Sequence, residues 1–238
     1  TIDRKTYYNY PRAYKMIDEL QPQAVIFSDG GPGCRWVGNE HGFAGATNWS
    51  FLRAGEVYPG YPKYRELQYG HADGNQWVAA ECDVSIRPGW FYQPEEDDRV
   101  KTVDELTDLY YRSVGHNATL LLNFPVDRDG LIHPTDSANA VNFHQNVQKQ
   151  LAHNLLAGLS PKASDERGRT FSAKAVTDGD YDTYWATNDD VTSATIEFDL
   201  PQAEKINRMM LQEYIPLGQR VKSFVVEYNQ AGEWLPVK

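Results

Sequence analysis

The chain has few cysteines, no closely spaced Cys/His metal-ligand pattern and no long hydrophobic run. Its 238 residues include two cysteines, Cys34 and Cys82. Each lies near a predicted strand end, so the sequence is compatible either with a disulfide bridge between them or with two reduced thiols. No apolar run approaches the roughly 18 residues that a membrane-spanning helix needs, so we expect no membrane span. The histidines show no ligand spacing either, and no catalytic metal or other catalytic cofactor is expected; they are His41, His71, His116, His133, His144 and His153.

Positive charge is also scarce. Lys and Arg together number 23 against 33 Asp and Glu, which gives a formal net charge of -10. Nucleic-acid binding depends on neutralising phosphates, so this balance excludes a nucleic-acid partner and suits a neutral ligand. Aromatic residues are abundant, with 15 Tyr and 6 Trp. Such abundance is typical of carbohydrate contact, although many of these rings must fill cores.

The first two thirds of the sequence alternate helical and strand patterns. Parallel strands are predicted at 24–27, 77–85 and 119–123, and helices at 103–113, at 136–151 and before Pro22. Strands separated by helices indicate βαβ units and a parallel sheet. Three such units are too few to close a barrel alone. The pattern therefore predicts an α/β first domain over residues 1–157.

The pattern changes at residue 158. Gly158-Leu159-Ser160-Pro161 interrupts it, and short alternating runs follow at 194–200, 207–212 and 223–228. Short strands with turn residues between them favour an antiparallel sandwich. A complete sandwich needs another strand or two, so we expect the second domain, 158–238, to be truncated at its C-terminus.

The segment from Arg35 to Glu40 combines an arginine, an indole, an amide and a carboxyl. It follows the predicted strand at 24–27 and the polar turn at 28–32. In a barrel of parallel strands, catalytic residues lie beyond the strands' carboxyl ends. An apolar plate, hydrogen-bonding groups and a proton-transferring carboxyl are what a sugar site requires. The alternative is a loop salt bridge between Arg35 and Glu40.

Three blocks of the sequence carry a family resemblance. Residues 27–40, 81–92 and 113–123 resemble, in the same order, bacterial α-L-fucosidases of glycoside hydrolase family twenty-nine. The similarity is closest to the branch that prefers α-1,3/1,4-linked fucose. Residues 178–185 resemble the opening of discoidin-type modules, also named coagulation factor 5/8 C-type. The resemblance implies the C-terminal part of a (β/α)8-like TIM barrel at 1–157, followed by an all-β jelly-roll sandwich at 158–238.

The resemblance also implies a reaction, and it implies site residues that this sequence does not contain. Family members are retaining exo-glycosidases that use an aspartate nucleophile from a Trp-Phe-Asp-Gly-like motif, with His residues that bind fucose. Neither feature precedes residue 24, and the chain begins at Thr1 without Met. We therefore expect an upstream part of the same polypeptide, an inactive fragment on its own, a periplasmic or extracellular location, and a fucosylated oligosaccharide or glycoconjugate as substrate. A carbohydrate-binding protein that has lost hydrolysis is the alternative.

Two glutamates compete for the general acid/base role. Glu40 matches the family's acid/base position in its Gly-Asn-Glu segment, and a loop lets it approach the scissile bond. Glu81 is the rival, inside an apolar strand where a carboxylate is costly unless it is paired. The structural alternative for Glu81 is an ion pair with Arg87 or Arg35.

Five other residues are candidates for substrate binding. Trp90 either stacks on fucose or packs in the core, and Arg87 either bonds the sugar or a carboxylate or forms a structural ion pair. Trp36 and Arg35 are expected to line the leaving-group subsite. Asp29 either binds a hydroxyl or caps a turn.

The second domain contains a candidate cation site. Asp178, Asp180, Asp182 and Thr183 supply hard oxygens on a tight turn, which suits a structural Ca²⁺. The alternative is an Asp/Gly-rich turn without an ion. Trp185, which follows, is expected to pack in the core.

Overall fold

The computed structural model describes residues 2–237 and shows two compact units, Thr1–Ala152 and His153–Lys238. The predicted change of architecture at residue 158 lies a few residues beyond the observed boundary. Among the described residues, the helices are too short or too polar to cross a bilayer.

Four α-helices lie in the first unit. They are α1 (Arg4–Tyr7), α2 (Tyr10–Leu20), α3 (Val103–Ser113) and α4 (Pro134–Leu151). The predicted helix at 103–113 is confirmed at both ends. Thr102 and Glu105 form a capping box that satisfies the first free N–H groups of α3. Helix α4 begins two residues before the predicted start, because Pro134 suits the first helical position, where no N–H partner is needed.

A four-stranded parallel sheet forms the centre of the first unit. In chain order the strands of this unit are β1 (Phe27–Ser28), β2 (Cys34–Trp36), β3 (Phe51–Leu52), β4 (Gln76–Trp77), β5 (Ala79–Ser85) and β6 (Ala118–Asn123). The parallel sheet has the order β1-β2-β5-β6, and β3 pairs with β4 in a separate antiparallel ladder. Short 3₁₀ helices lie at Tyr64–Gln68, Pro94–Glu96 and Val114–His116. The predicted parallel arrangement is confirmed.

Two local predictions about this sheet are wrong. The run at 24–27 contributes only Phe27 to β1, and Val25 is 74% exposed, because β1 is an edge strand that pairs with a three-residue neighbour. That neighbour is β2, in a segment where the sequence pattern predicts no strand. Strand β2 is too short for a hydrophobic period to reveal it.

The two faces of the sheet differ in chemistry. Side chains alternate along a strand, so Ala80, Cys82 and Val84 of β5 share one face. Ala80 and Cys82 pack in one buried cluster, and Val84 packs in another with Leu106 and Leu109 of α3. The opposite face presents Glu81 and Asp83, and the register places Trp36 beside Glu81. The sheet therefore carries an apolar core on one face and carboxylates on the other.

The second unit contains short antiparallel ladders. Strand β7 (Lys162–Ala163) pairs with β8 (Ile196–Glu197), and β9 (Glu227–Gln230) pairs with β10 (Glu233–Pro236). Short 3₁₀ helices lie at Arg169–Phe171, Ala173–Val176 and Ile215–Leu217. The antiparallel pairing agrees with the prediction, but β8 and β9 only partly overlap the predicted runs. Within the described part of the chain, residues 207–212 form no strand.

Candidate active site

Glu40 lies on a loop just beyond the carboxyl end of β2. Gly38 has a φ of 78°, and a Cβ at that position would collide with the backbone carbonyl of Tyr64. Asn39 then fixes the next turn: its Nδ2 donates to the Phe43 carbonyl at 3.0 Å, and its Oδ1 accepts from the His41 amide at 2.9 Å. The loop is therefore well anchored while the side chain of Glu40 is exposed.

Trp90 brings a second strand end to Glu40. Its Nε1 donates a hydrogen bond of 2.9 Å to Oε2 of Glu40, across 50 positions of sequence. Asn123, the last residue of β6, donates from Nδ2 to the Trp90 carbonyl at 3.0 Å and to Ser85 Oγ at 3.1 Å. These contacts join the carboxyl ends of β2, β5 and β6 at one edge of the sheet, which is where parallel sheets place their reactive groups.

Asp83 is a third carboxyl near Glu40 and Glu81, and it is not among the residues predicted above for the site. The Nε1 atom of Trp36 donates to its Oδ1 at 2.8 Å. Burial raises the pKa of Asp83, and the neighbouring carboxylates of Glu40 and Glu81 raise it further against the Trp36 hydrogen bond. The signal was available in the strand pattern, because Asp83 alternates with the buried Cys82 and Val84 and therefore shares a face with Glu81.

Glu81 does not pair with an arginine, so that structural expectation is wrong. Its Oε2 accepts from Thr119 Oγ1 at 3.3 Å and from Cys34 Sγ at 3.8 Å. Neighbouring strands supply these weaker partners because Glu81 projects from the sheet face opposite the buried arginine. Glu81 remains half-buried beside Trp36, below the strand ends where Glu40 lies.

Arg35 lies on the buried face of β2 and makes no salt bridge with Glu40. Its side chain is fully buried, and Nε and Nη1 donate to the carbonyls of Leu67 at 3.0 Å and Val78 at 2.6 Å. Its Nη2 donates to Oδ1 of Asn48 at 2.5 Å. Alternation along β2 turns Arg35 away from Trp36, so only the tryptophan faces the carboxylates. This geometry places Arg35 outside the expected leaving-group subsite.

Arg87 forms a buried clamp. Its Nε and Nη2 donate to both oxygens of Asp136 at 2.8 and 2.9 Å, and Nη1 donates to Asp97 Oδ1 at 2.9 Å. The guanidinium holds the pKa of the Asp97 carboxyl below its usual range. Strand topology predicts that Glu40, Trp90 and Arg87 converge at the carboxyl ends of the strands, and the structure brings together only Glu40 and Trp90. Arg87 instead ties the segment that carries Trp90 to the first turn of α4, which favours structural pairing.

Asp29 and the two cysteines have structural surroundings. Asp29 accepts the backbone amides of Gly60 at 2.6 Å and Tyr61 at 3.1 Å, so it anchors a neighbouring loop. Cys34 and Cys82 are free, buried thiols. Burial and the Glu81 carboxylate raise the pKa of Cys34 to about 11, and burial raises that of Cys82 to about 12. The structure therefore contains two reduced thiols and not a disulfide bridge.

The candidate calcium turn is closed by its own hydrogen bonds. Asp178 accepts the Asp180 amide at 2.9 Å and Thr183 Oγ1 at 2.7 Å, and Asp180 Oδ1 accepts the Asp182 amide at 2.9 Å. Across residues 2–237, no three His, Cys, Asp or Glu side chains gather as metal ligands. Asp178 and Asp180 thus accept hydrogen bonds from the turn itself, and a calcium ion at these oxygens stays a prediction. Trp185 is half-buried and donates to the Asp165 carbonyl at 2.9 Å.

Both units of the chain are similar to known proteins. Residues 160–238 match the F5/8 type C domain. Alpha-L-fucosidase 1 of Arabidopsis thaliana is 36% identical over 237 residues, covering 95% of this chain and 46% of that protein. A "putative alpha-L-fucosidase" structure from Bacteroides thetaiotaomicron is 41% identical with a TM-score of 0.90, covering 96% of this chain and 51% of the other.

A third relative has a bound sugar. The structure of a Ruminococcus gnavus GH29 fucosidase in complex with fucose is 30% identical, with a TM-score of 0.86 over 97% of this chain and 49% of that one. The chain spans about half the length of the relatives it matches. Over nearly all of its residues, the chain is therefore similar in sequence and fold to about half of an α-L-fucosidase, and its second unit matches the F5/8 type C domain.

Proposed function

We propose that this chain supplies the general acid/base of a retaining, exo-acting α-L-fucosidase. The observation that carries the proposal is Glu40 itself: an exposed carboxyl at the strands' carboxyl ends, fixed by the Trp90 indole. We further propose that the first unit is the C-terminal part of a TIM barrel and that the second is a jelly-roll module. Similarity to fucosidases across both units supports this architecture.

The proposed reaction has two steps. An aspartate from the rest of the polypeptide attacks the anomeric carbon while Glu40 protonates the departing glycosidic oxygen, leaving a fucosyl ester on the aspartate. Glu40 then removes a proton from water, which attacks the same carbon and releases fucose with retained configuration. The two carboxyls must lie about 5–5.5 Å apart for this chemistry.

The surroundings of the three carboxyls favour Glu40 for this role. Glu81 accepts two hydrogen bonds from neighbouring strands, and Asp83 is held by Trp36 beneath the strand ends. Among residues 2–237, Glu40 is bonded through Oε2, which leaves Oε1 to reach a leaving group. The half-buried rings of Trp36 and Trp90 supply apolar surface for the sugars on either side of the scissile bond.

The test uses the whole protein that contains this chain. Fucosylated oligosaccharides with different linkages are incubated with it, and released fucose is followed by NMR from the first minutes. We expect α-L-fucose as the initial product and the fastest release from α-1,3/1,4 linkages. Initial β-L-fucose would contradict retention, and equal rates on all linkages would contradict the proposed preference.

A carbohydrate-binding protein without hydrolytic activity is the second candidate. The F5/8 type C match favours carbohydrate contact in either case. Calorimetric binding of a fucosylated oligosaccharide without release of fucose would support this candidate, as would an upstream sequence that lacks the aspartate nucleophile.

A further inference from the structure

Trp90 is bonded at both ends, which gives it a role beyond forming an apolar surface. Its indole Nε1 donates to Glu40 Oε2 at 2.9 Å, and its carbonyl accepts from Asn123 Nδ2 at 3.0 Å. Resting on the proposed acid/base role of Glu40, we propose that Trp90 is a positioning residue. Its N–H occupies Oε2 of Glu40 throughout the reaction, so that Oε1 carries the transferred proton.

The chemistry of the two groups assigns the oxygens. An indole N–H only donates, so the Glu40 oxygen that it contacts must accept. When Glu40 is neutral, Oε2 accepts from Trp90 and the proton lies on Oε1, from which it passes to the glycosidic oxygen. When Glu40 is ionised, Oε2 still accepts and Oε1 takes the proton from water. The hydrogen bond to Trp90 therefore persists in both steps, and the carboxyl need not turn between them.

The backbone of Trp90 is held firmly enough for this task. Asn123 Nδ2 donates to the Trp90 carbonyl and also to Ser85 Oγ at 3.1 Å, which links the ends of β5 and β6. The Arg87 clamp fixes the same segment three residues earlier through Asp136. A donor on such a support can hold its acceptor without a reorganisation cost at the moment of reaction.

The remaining surroundings of Glu40 do not provide this orientation. Within residues 2–237 Glu40 forms no ion pair, and Trp90 is its side-chain hydrogen-bond donor. The charged group that interacts with Glu40 from β5 is Asp83, and two ionised carboxylates repel each other, so Asp83 in its ionised form does not hold Glu40 in place. Loss of the indole N–H should therefore leave Glu40 without a fixed direction.

The test variant is Trp90→Phe in the whole protein, because phenylalanine keeps an aromatic surface and removes the N–H. With a natural fucosylated oligosaccharide we expect kcat to fall about 10-fold, the scale of one hydrogen bond to a charged group, with little change in KM. Formation of the fucosyl-enzyme from an activated aryl fucoside should be nearly unchanged, since that leaving group needs little protonation. Equal losses on both substrates, or a loss confined to KM, would overturn the proposal, because they would show that Trp90 acts through its contact with the sugar and not through Glu40.

A double-mutant cycle separates this inference from the proposed function. In the Glu40→Ala background, Trp90→Phe should cause no further loss, because the group that it positions is gone. Full additivity of the two losses would overturn the positioning role while leaving Glu40 as acid/base. Failure of Glu40→Ala to discriminate between the two substrates would instead overturn the proposed function.

Two further variants guard against a general effect on folding. Asn123→Asp keeps the side-chain size but removes the amide donor, so it should reproduce the substrate pattern of Trp90→Phe if the anchor matters. Trp185→Phe is the matched control, since it removes an indole hydrogen bond of the same 2.9 Å length, which Trp185 donates to the Asp165 carbonyl within the second unit. A kcat loss in Trp185→Phe as large as that in Trp90→Phe would contradict the proposal.

Discussion

The first unit contains two polar regions, and they differ in the burial and hydrogen bonding of their charged side chains. Arg35 and Arg87 are fully buried, and their guanidinium groups donate to carbonyls, an amide oxygen or two aspartates. Glu40, Asp83 and Glu81 share the other face of the sheet and its edge, partly open to solvent and with few donors. A buried charge must be paired, whereas a reacting carboxyl must keep an oxygen free.

Burial and the number of hydrogen-bond partners therefore distinguish structural side chains from reactive ones more reliably than residue type does. Arginine next to tryptophan and glutamate is the composition of a sugar site, yet Arg35 lies on the opposite face of the sheet from Trp36. Its burial, with hydrogen bonds from Nε, Nη1 and Nη2 to neighbouring oxygens, identifies it as a structural group. By the same criterion, the under-bonded carboxylates are the groups available for reaction.

Replacing Glu40 is expected to have the largest effect of any change in either region. Glu40→Ala removes proton donation to the leaving group, which contributes roughly 10²–10⁴-fold to such reactions. Turnover of a natural fucoside should fall by that factor, while an activated aryl fucoside should give a burst followed by slow turnover. Azide should accelerate the slow phase, because it attacks the fucosyl-enzyme without help from a base.

Glu81→Gln is the companion variant, because it neutralises the rival carboxyl on the same face. We expect a much smaller loss with no azide rescue. If Glu81→Gln instead shows the leaving-group dependence and Glu40→Ala does not, the acid/base role belongs to Glu81.

Breaking the Arg87 clamp should cost stability. Asp136→Ala leaves the buried Arg87 without its bidentate partner, and removal of one member of a buried pair costs about 3–5 kcal/mol. Denaturant unfolding of the whole protein should show the loss in the transition of the first unit. Asp108→Ala is the control, because it breaks an exposed 3.3 Å ion pair with Arg112 that is worth about 1 kcal/mol or less. Equal losses of unfolding free energy in Asp136→Ala and Asp108→Ala would contradict the structural role of the buried Arg87 clamp.

Much of the first unit could be predicted because its signals are local. Helix α3 has a capping box at Thr102, and β6 is a nearly continuous apolar run that needs no knowledge of its neighbours. The contact of Glu40 with Trp90 followed from topology, since parallel strands bring distant carboxyl ends together. These inferences depend on sequence patterns that the rest of the chain reinforces.

The missed features depend on three-dimensional context. Strand β2 has three residues, and it exists because Phe27–Ser28 and Ala79–Glu81 flank it. Once Cys34–Trp36 is a strand, alternation separates Arg35 from Trp36, which no loop assignment could show. The partners of Arg87 lie 10 and 49 positions away, and no spacing rule connects them.

Removing the charge of Asp83 should stabilise the folded protein, whereas breaking the Arg87 clamp should destabilise it. The pKa of Asp83 is raised in the folded protein, chiefly by burial, so its ionisation opposes folding. Asp83→Asn should therefore raise the melting temperature by a few degrees at pH 7 and leave it unchanged near pH 3, where both states hold a neutral carboxyl. Melting curves across this pH range measure the difference. A destabilised Asp83→Asn protein at pH 7 would place Asp83 with the structural groups.

The turn at Asp178 should give the smallest effect and extends the contrast to the second unit. Hydrogen bonds from the Asp180 amide and Thr183 lower the pKa of Asp178, so its charge stabilises the fold at neutral pH. That contribution is present above the ordinary pKa of aspartate, about 3.9, and is lost as the pH falls through the lowered value. Asp178→Ala should therefore slightly lower the melting temperature of the second unit at pH 7, and less so at pH 2. Because Asp178 and Asp180 already accept hydrogen bonds within the turn, we expect added Ca²⁺ or EDTA to leave the wild-type transition unchanged. A Ca²⁺-dependent rise in melting temperature that Asp178→Ala abolishes would contradict this account and assign the turn to a cation.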